Sequence, residues 1–156
     1  MKIITKSILA QLSDDARQNA RLRKNYNIHL SDEASCHRLF NAIEPHSYIR
    51  PHCHLDFEKD ETFVLMSGRL GIVVFTGNGA VVETVELSAA AGNVAADIAH
   101  GVFHTAVALE PGTVFFEAKA GPYHQLSVEE VAVWAPSDDD ESLVQAFLAN
   151  LRSLFV

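Results

Sequence analysis

Cysteine is nearly absent from this chain of 156 residues: Cys36 and Cys53 are its only two, too few for a disulfide framework. Long apolar runs are missing as well. No stretch approaches the roughly 18 apolar residues of a membrane-spanning helix. Positive charge is scarce, with 12 Lys and Arg against 20 Asp and Glu for a formal net charge of −8. Nucleic acid and anionic membranes are therefore not expected partners. The single basic run, Arg21-Leu22-Arg23-Lys24, still leaves room for a local basic pocket. The first six residues lack the apolar core and small-residue cleavage site of a signal peptide, so a cytoplasmic protein is expected. With 48% hydrophobic and 21% charged residues, the composition is that of one folded domain able to bury a sizeable core.

Between about residues 36 and 134, short apolar, β-branched and aromatic runs alternate with turn signals such as Ser67-Gly68, Gly77-Asn78-Gly79 and Glu110-Pro111-Gly112. Strands are predicted at 37–43, 47–54, 61–66, 69–76, 80–87, 94–98, 102–109, 113–119 and 128–134. This texture predicts an all-β sandwich or barrel, with residues 69–87 forming a hairpin closed over Gly77-Asn78-Gly79. Ile8, Leu9, Leu12 and Ala16 recur at helical spacing, which predicts a short helix within 5–20 with Thr5 as N-cap. An irregular basic segment, Arg21–Tyr26, follows. After Pro136 the acidic run Asp138–Glu141 precedes Val144, Phe147, Leu148 and Leu151. That order predicts a helix whose positive end meets the acids, docked on the barrel or on a second subunit. The expected division is 1–35 N-terminal helix and irregular segment, 36–134 β-barrel and 135–156 C-terminal helix, all in one compact domain.

The residues with the most chemistry are Pro51-His52-Cys53-His54, Glu61 and His104. On a strand, the two-residue period puts His52 and His54 on one face, about 7 Å apart at the backbone. Two imidazoles so placed can meet on one metal ion at about 2.1 Å each. Glu61 opens the next strand, and His104 comes from a distant hairpin. Three nitrogens and one carboxylate oxygen suit Fe(II), Mn(II), Ni(II) or Zn(II).

The pattern His52-x-His54…Glu61-x6-Gly68 resembles the first cupin motif, and Gly92…Ala99-His100-Gly101-x2-His104 resembles the second. The six-residue gap from His54 to Glu61 exceeds the usual three or four, and Ala99 and Ala108 stand where proline and asparagine are common. The Glu61-to-Gly68 spacing selects Glu61 over Glu58 as the carboxylate. Tyr48-x-Arg50-Pro51-His52-x-His54, Ala108-Leu109-Glu110-Pro111-Gly112-Thr113 and Gly121-Pro122-Tyr123 are similar to WbuC-like cupin fold metalloproteins. The resemblance implies a single jelly-roll barrel with one divalent metal ion per chain, a homodimer, and an association with surface polysaccharide synthesis.

Around that centre, Arg50 and Tyr48 share the parity of the two histidines. Arg50 then either holds a substrate anion or forms a rim salt bridge, and Tyr48 either touches substrate or packs in the core. Glu117 and Lys119 alternate with apolar neighbours on a late strand, where one of them is a candidate general acid or base. Cys53 is expected to point to the opposite face as a small buried residue. His100 reads as a turn histidine, and His29 with Asn27 as either a lid or a plain loop. His37, His46 and His124 carry no assignment. Three functions are compatible with these residues. They are a metal-dependent enzyme on a small polar molecule such as a sugar or sugar nucleotide, a non-catalytic metal-dependent binding or sensing module, and a structural metal site.

Overall fold

In the computed structural model, residues 1–155 are described, and they form eight strands and two helices. The strands are β1 (Arg23–Asn27), β2 (Cys36–Ile43), β3 (Glu61–Ser67), β4 (Leu70–Phe75), β5 (Val81–Leu87), β6 (Ala95–Ile98), β7 (Phe103–Ala108) and β8 (Thr113–Ala120). They make two antiparallel sheets, one ordered β1-β2-β8-β3-β6 and the other β5-β4-β7. The expected closed barrel is here two facing sheets, and isolated bridges from His52 to His104 and Val131 supply the pairing at one end.

The inner faces meet in a core of Ile43, Phe63, Leu70, Ile72, Leu87, Ala106 and Phe115. Each outer face is covered by a helix. Helix α1 (Lys6–Gln18), capped by Thr5, lays Leu12 and Ala16 on Phe40, Ala42 and Val114 of the larger sheet. Helix α2 (Glu141–Ser153), capped by Asp140, lays Leu148 and Leu151 on Val73, Phe75 and Val107 of the smaller one. The apolar stripe of α2 thus packs on its own chain.

Gly79 closes the β4–β5 hairpin at φ 90°, where a Cβ would come within 2.7 Å of the Trp134 ring. Gly68 turns β3 into β4 at φ 83°, and a Cβ there would come within 2.5 Å of Thr113 Oγ1. Both positions need glycine for conformation and for space.

Three segments depart from expectation. The predicted strands 47–54 and 128–134 do not form as regular strands. Pro51 has no N–H to donate, and the chain there is held by scattered bonds instead: Cys53 N–H to Glu130 O at 2.9 Å and Ala132 N–H to Pro51 O at 3.0 Å. Conversely, the expected irregular segment 21–26 overlaps β1, whose residues pair with Leu39–Ile43 of β2. Its sequence, Arg-Lys-Asn-Tyr-Asn, shows no apolar alternation, so the pairing is supplied by the neighbour rather than by its own pattern.

Candidate metal centre

His52 is seated by two backbone bonds with His104, His52 N–H to His104 O at 3.0 Å and the reverse at 2.9 Å. Such reciprocal bonding makes them directly opposed residues with side chains on one face. Their ring centroids are 4.9 Å apart. His54 follows two residues later, with its ring 5.3 Å from that of His52. Glu61, at the start of β3, stands opposite Lys119 of β8. Ligand atoms of His52, His54 and Glu61 all lie within 4.8 Å of one another. His104 approaches the same carboxylate, with Nε2 at 3.0 Å from Oε2. Glu58 is exposed in the preceding loop.

The hydrogen bonds around these groups orient them. His52 Nδ1 donates to Arg50 O at 3.0 Å, and His104 Nδ1 donates to Val102 O at 2.9 Å. A carbonyl can only accept, so in each neutral ring Nε2 keeps a lone pair. His54 Nε2 is buried and lies 3.4 Å from Glu61 Oε2, but it has no aligned hydrogen-bond partner among the described residues. That arrangement costs free energy unless something satisfies the nitrogen. Burial would raise the Glu61 carboxyl, but the Lys119 charge helps to hold it well below the usual range. Burial, then the nearby His104, lowers His52 to about 4. The centre therefore presents imidazole nitrogens and a carboxylate, with an orphaned nitrogen among them. This donor set fits a divalent cation.

Lys119 Nζ bridges Glu61 Oε1 at 2.5 Å and Glu117 Oε1 at 2.8 Å. Burial works against its charge, but the two carboxylates together raise the group. The Glu117 carboxyl is raised, chiefly by burial, and its Oε2 accepts from Asn41 Nδ2 at 2.6 Å. One lysine is thus shared by two buried carboxyl groups. Sequence reading flagged Glu117 and Lys119 as acid–base candidates but missed the clamp on Glu61. Its signal was the charged i, i+2 pair on an otherwise apolar strand.

A cavity of about 270 Å³ opens onto His52, Glu61, His104, Glu117 and Lys119, between apolar walls that include Phe63 and Phe115. A smaller space of about 150 Å³ reaches His52 and His54 past His37, Lys59 and His124.

Two expected substrate contacts are corrected. Arg50 turns from the cavity, with Nε and Nη2 donating to Ala132 O at 3.2 and 3.0 Å. Tyr48 is buried, donates to Pro136 O at 3.0 Å and stands edge-on to Phe147. The parity argument failed because residues 47–54 are not a regular strand. Glu117 does line the cavity. Cys53 is fully buried, and burial, then the Glu130 charge, raises its thiol. His100 pairs with exposed Asp60 at 2.9 Å. His29 is buried and stacked on His37 with centroids 4.1 Å apart, so it packs as part of the loop and does not act as a lid.

The chain belongs to the family described as Domain of unknown function (DUF6016), whose model matches residues 4–87. Among curated proteins no sequence relative is found. Solved structures with similar folds include the TT1209 protein from Thermus thermophilus, with 20% identity and a TM-score of 0.53 over 77% of this chain and 97% of that one. Another is the SPY1581 protein of unknown function from Streptococcus pyogenes, with 12% identity and a TM-score of 0.52 over 79% of this chain and 90% of that one. KdgF from a Halomonas species has 18% identity and a TM-score of 0.50 over 65% of this chain and 82% of that one. At these identities the likeness shows the fold alone, which is mostly β with two antiparallel sheets. No described helix is long and apolar enough to cross a membrane.

Proposed function

We propose that this chain is a metal-dependent enzyme of cupin type, with His52, His54, Glu61 and His104 holding one divalent ion. The observation that carries the reading is the buried, unpartnered Nε2 of His54, set beside a carboxylate and two imidazoles of fixed tautomer. The ion would supply Lewis-acid polarisation of a substrate carbonyl or hydroxyl oxygen.

The protein's own groups do the rest. Lys119 occupies Glu61 Oε1 and leaves Oε2 toward the histidines. Phe63 and Phe115 give the cavity an apolar wall, and Glu117 lines the cavity where it can exchange a proton with substrate. The cavity volume suits a small polar molecule. The WbuC-like pattern of Tyr48–His54 extends the reading to a sugar or sugar nucleotide of surface polysaccharide synthesis.

A second reading rests on the ligand count. Four protein ligands complete a tetrahedral shell, which would make the ion structural or part of a non-catalytic binding module. The test is metal content per chain in wild type, His52→Ala, His104→Ala and His124→Ala. The first two variants are expected to fall below about a tenth of the wild-type content, and the third to retain it. Unchanged metal in both His52→Ala and His104→Ala would contradict the assignment. Exchangeable water on the bound metal separates the enzyme from the closed structural site.

A further inference from the structure

The cavity over the metal centre has a mouth whose charge opposes that of the molecule. Four cationic side chains line it, Arg21, Arg23, Lys24 and Lys119, against two carboxylates, Glu61 and Glu117. Lys119 is already held by those carboxylates. The other three belong to one basic run in a chain of net charge −8, and none forms a salt bridge among the described residues. Asp138, Asp139 and Glu141 line a neighbouring groove with Arg21 and Arg23, yet among the described residues no ion pair joins them.

The local backbone holds this run in place. Leu22 is the one described non-glycine residue with positive φ, at 53°, a conformation that L residues rarely adopt. It is fixed by Leu22 N–H to Asn19 O at 2.8 Å and Glu44 N–H to Leu22 O at 3.0 Å. Ser47 Oγ also donates to Arg21 O at 2.9 Å. The chain reverses there, and Arg21 and Arg23 both line the cavity. Arg23 is half-buried and Nη1 donates to Tyr48 O, which leaves its other N–H groups for a ligand. Burial, then the charge of Arg21, lowers Arg23, and Asp138 only partly opposes them.

Register gives the scale. Arg23 pairs with Ile43, which pairs with Thr113, whereas Glu61 pairs with Lys119. Those two rows lie six residues apart on β8, about 20 Å along the strand at the usual rise. Long cationic side chains shorten that span. A ligand bridging it is therefore longer than a lone anion sitting on the metal.

We infer that Arg21, Arg23 and Lys24 form an anion-binding lip that holds the phosphate or carboxylate of a small molecule whose other end reaches the metal centre. The assignment rests on the metal-enzyme reading and gives the lip the anchoring role expected of Arg50. Planar guanidinium groups suit oxyanions by paired hydrogen bonds.

The test is titration calorimetry of sodium phosphate and of sodium succinate into the purified protein at low ionic strength, with metal content measured on the same samples. At least one of the two anions is expected to bind wild type, and the tighter one tells phosphate from carboxylate. The double variant Arg21→Ala/Lys24→Ala, at two exposed residues, is expected to bind about tenfold more weakly with unchanged metal content. Arg23→Gln should add to the loss. His52→Ala should lose metal and keep anion binding within about threefold. Binding of neither anion, equal binding by the double variant, or loss confined to His52→Ala would overturn the lip. Metal-free wild type with lip-dependent anion binding would remove the metal reading and leave the lip standing.

Discussion

The space between the two sheets has an apolar end and a polar end, and single strands carry both. On β8 the inward series runs Phe115, Glu117, Lys119; on β3 it runs Glu61, Phe63, Leu65; on β7 it runs His104, Ala106, Ala108. One two-residue step moves from core to chemistry. The apolar end fills with side chains such as Leu70, Leu87 and Phe115, all at most 2% exposed. The polar end buries charges and an orphaned nitrogen that would cost stability without a bound cation. The contrast separates the half that folds the protein from the half that the fold supports.

The largest expected effect breaks the apolar end. Phe115→Ala should lower unfolding free energy by about 3–5 kcal/mol through lost burial and a new cavity, read by denaturant titration, with metal per folded chain preserved. Next comes the polar end. Lys119→Met leaves Glu61 and Glu117 buried without their shared cation, a loss of about 3 kcal/mol in metal-free protein. Added divalent metal should recover part of it, whereas Phe115→Ala should show no such preferential recovery.

Smaller effects lie outside both ends. Asp140→Ala removes the side chain that accepts from Leu143 N–H at 3.1 Å and should cost about 1 kcal/mol, leaving metal content unchanged. The least is the surface fork of Arg69 on Glu86, with both bonds at 2.9 Å. Bonding to Arg69 and then Ser88 lowers the Glu86 carboxyl from 4.5 to about 2. Because the folded group is the more acidic one, its contribution is present above pH 4.5 and disappears as pH falls through about 2. The stability difference between wild type and Glu86→Gln should shrink over that window.

Much of the apolar end was legible from sequence. Strands β2 to β8 announce themselves as short runs between turn signals and both helices by helical spacing, and Thr5 caps α1 as read. The polar end was legible only as spacing. His52, His54, Glu61 and His104 stand together in the structure, but the segment carrying the first two is not a strand, so parity placed Arg50 and Tyr48 wrongly. Their partners are carbonyls of residues 132–136, contacts between segments some 80 residues apart that no local pattern encodes. Strand β1 was hidden for the same reason: its polar residues are ordered by β2. The basic run was visible as charge, but its place on the cavity needed the left-handed Leu22 turn.

The most direct measurement is X-ray absorption on metal-loaded protein beside His54→Ala, at known metal stoichiometry. The account expects one ion per chain with three imidazole nitrogens and a carboxylate oxygen in wild type, and one imidazole fewer or no metal in the variant. A wild-type protein that binds no divalent metal, or a bound ion whose shell contains no imidazole, would contradict it.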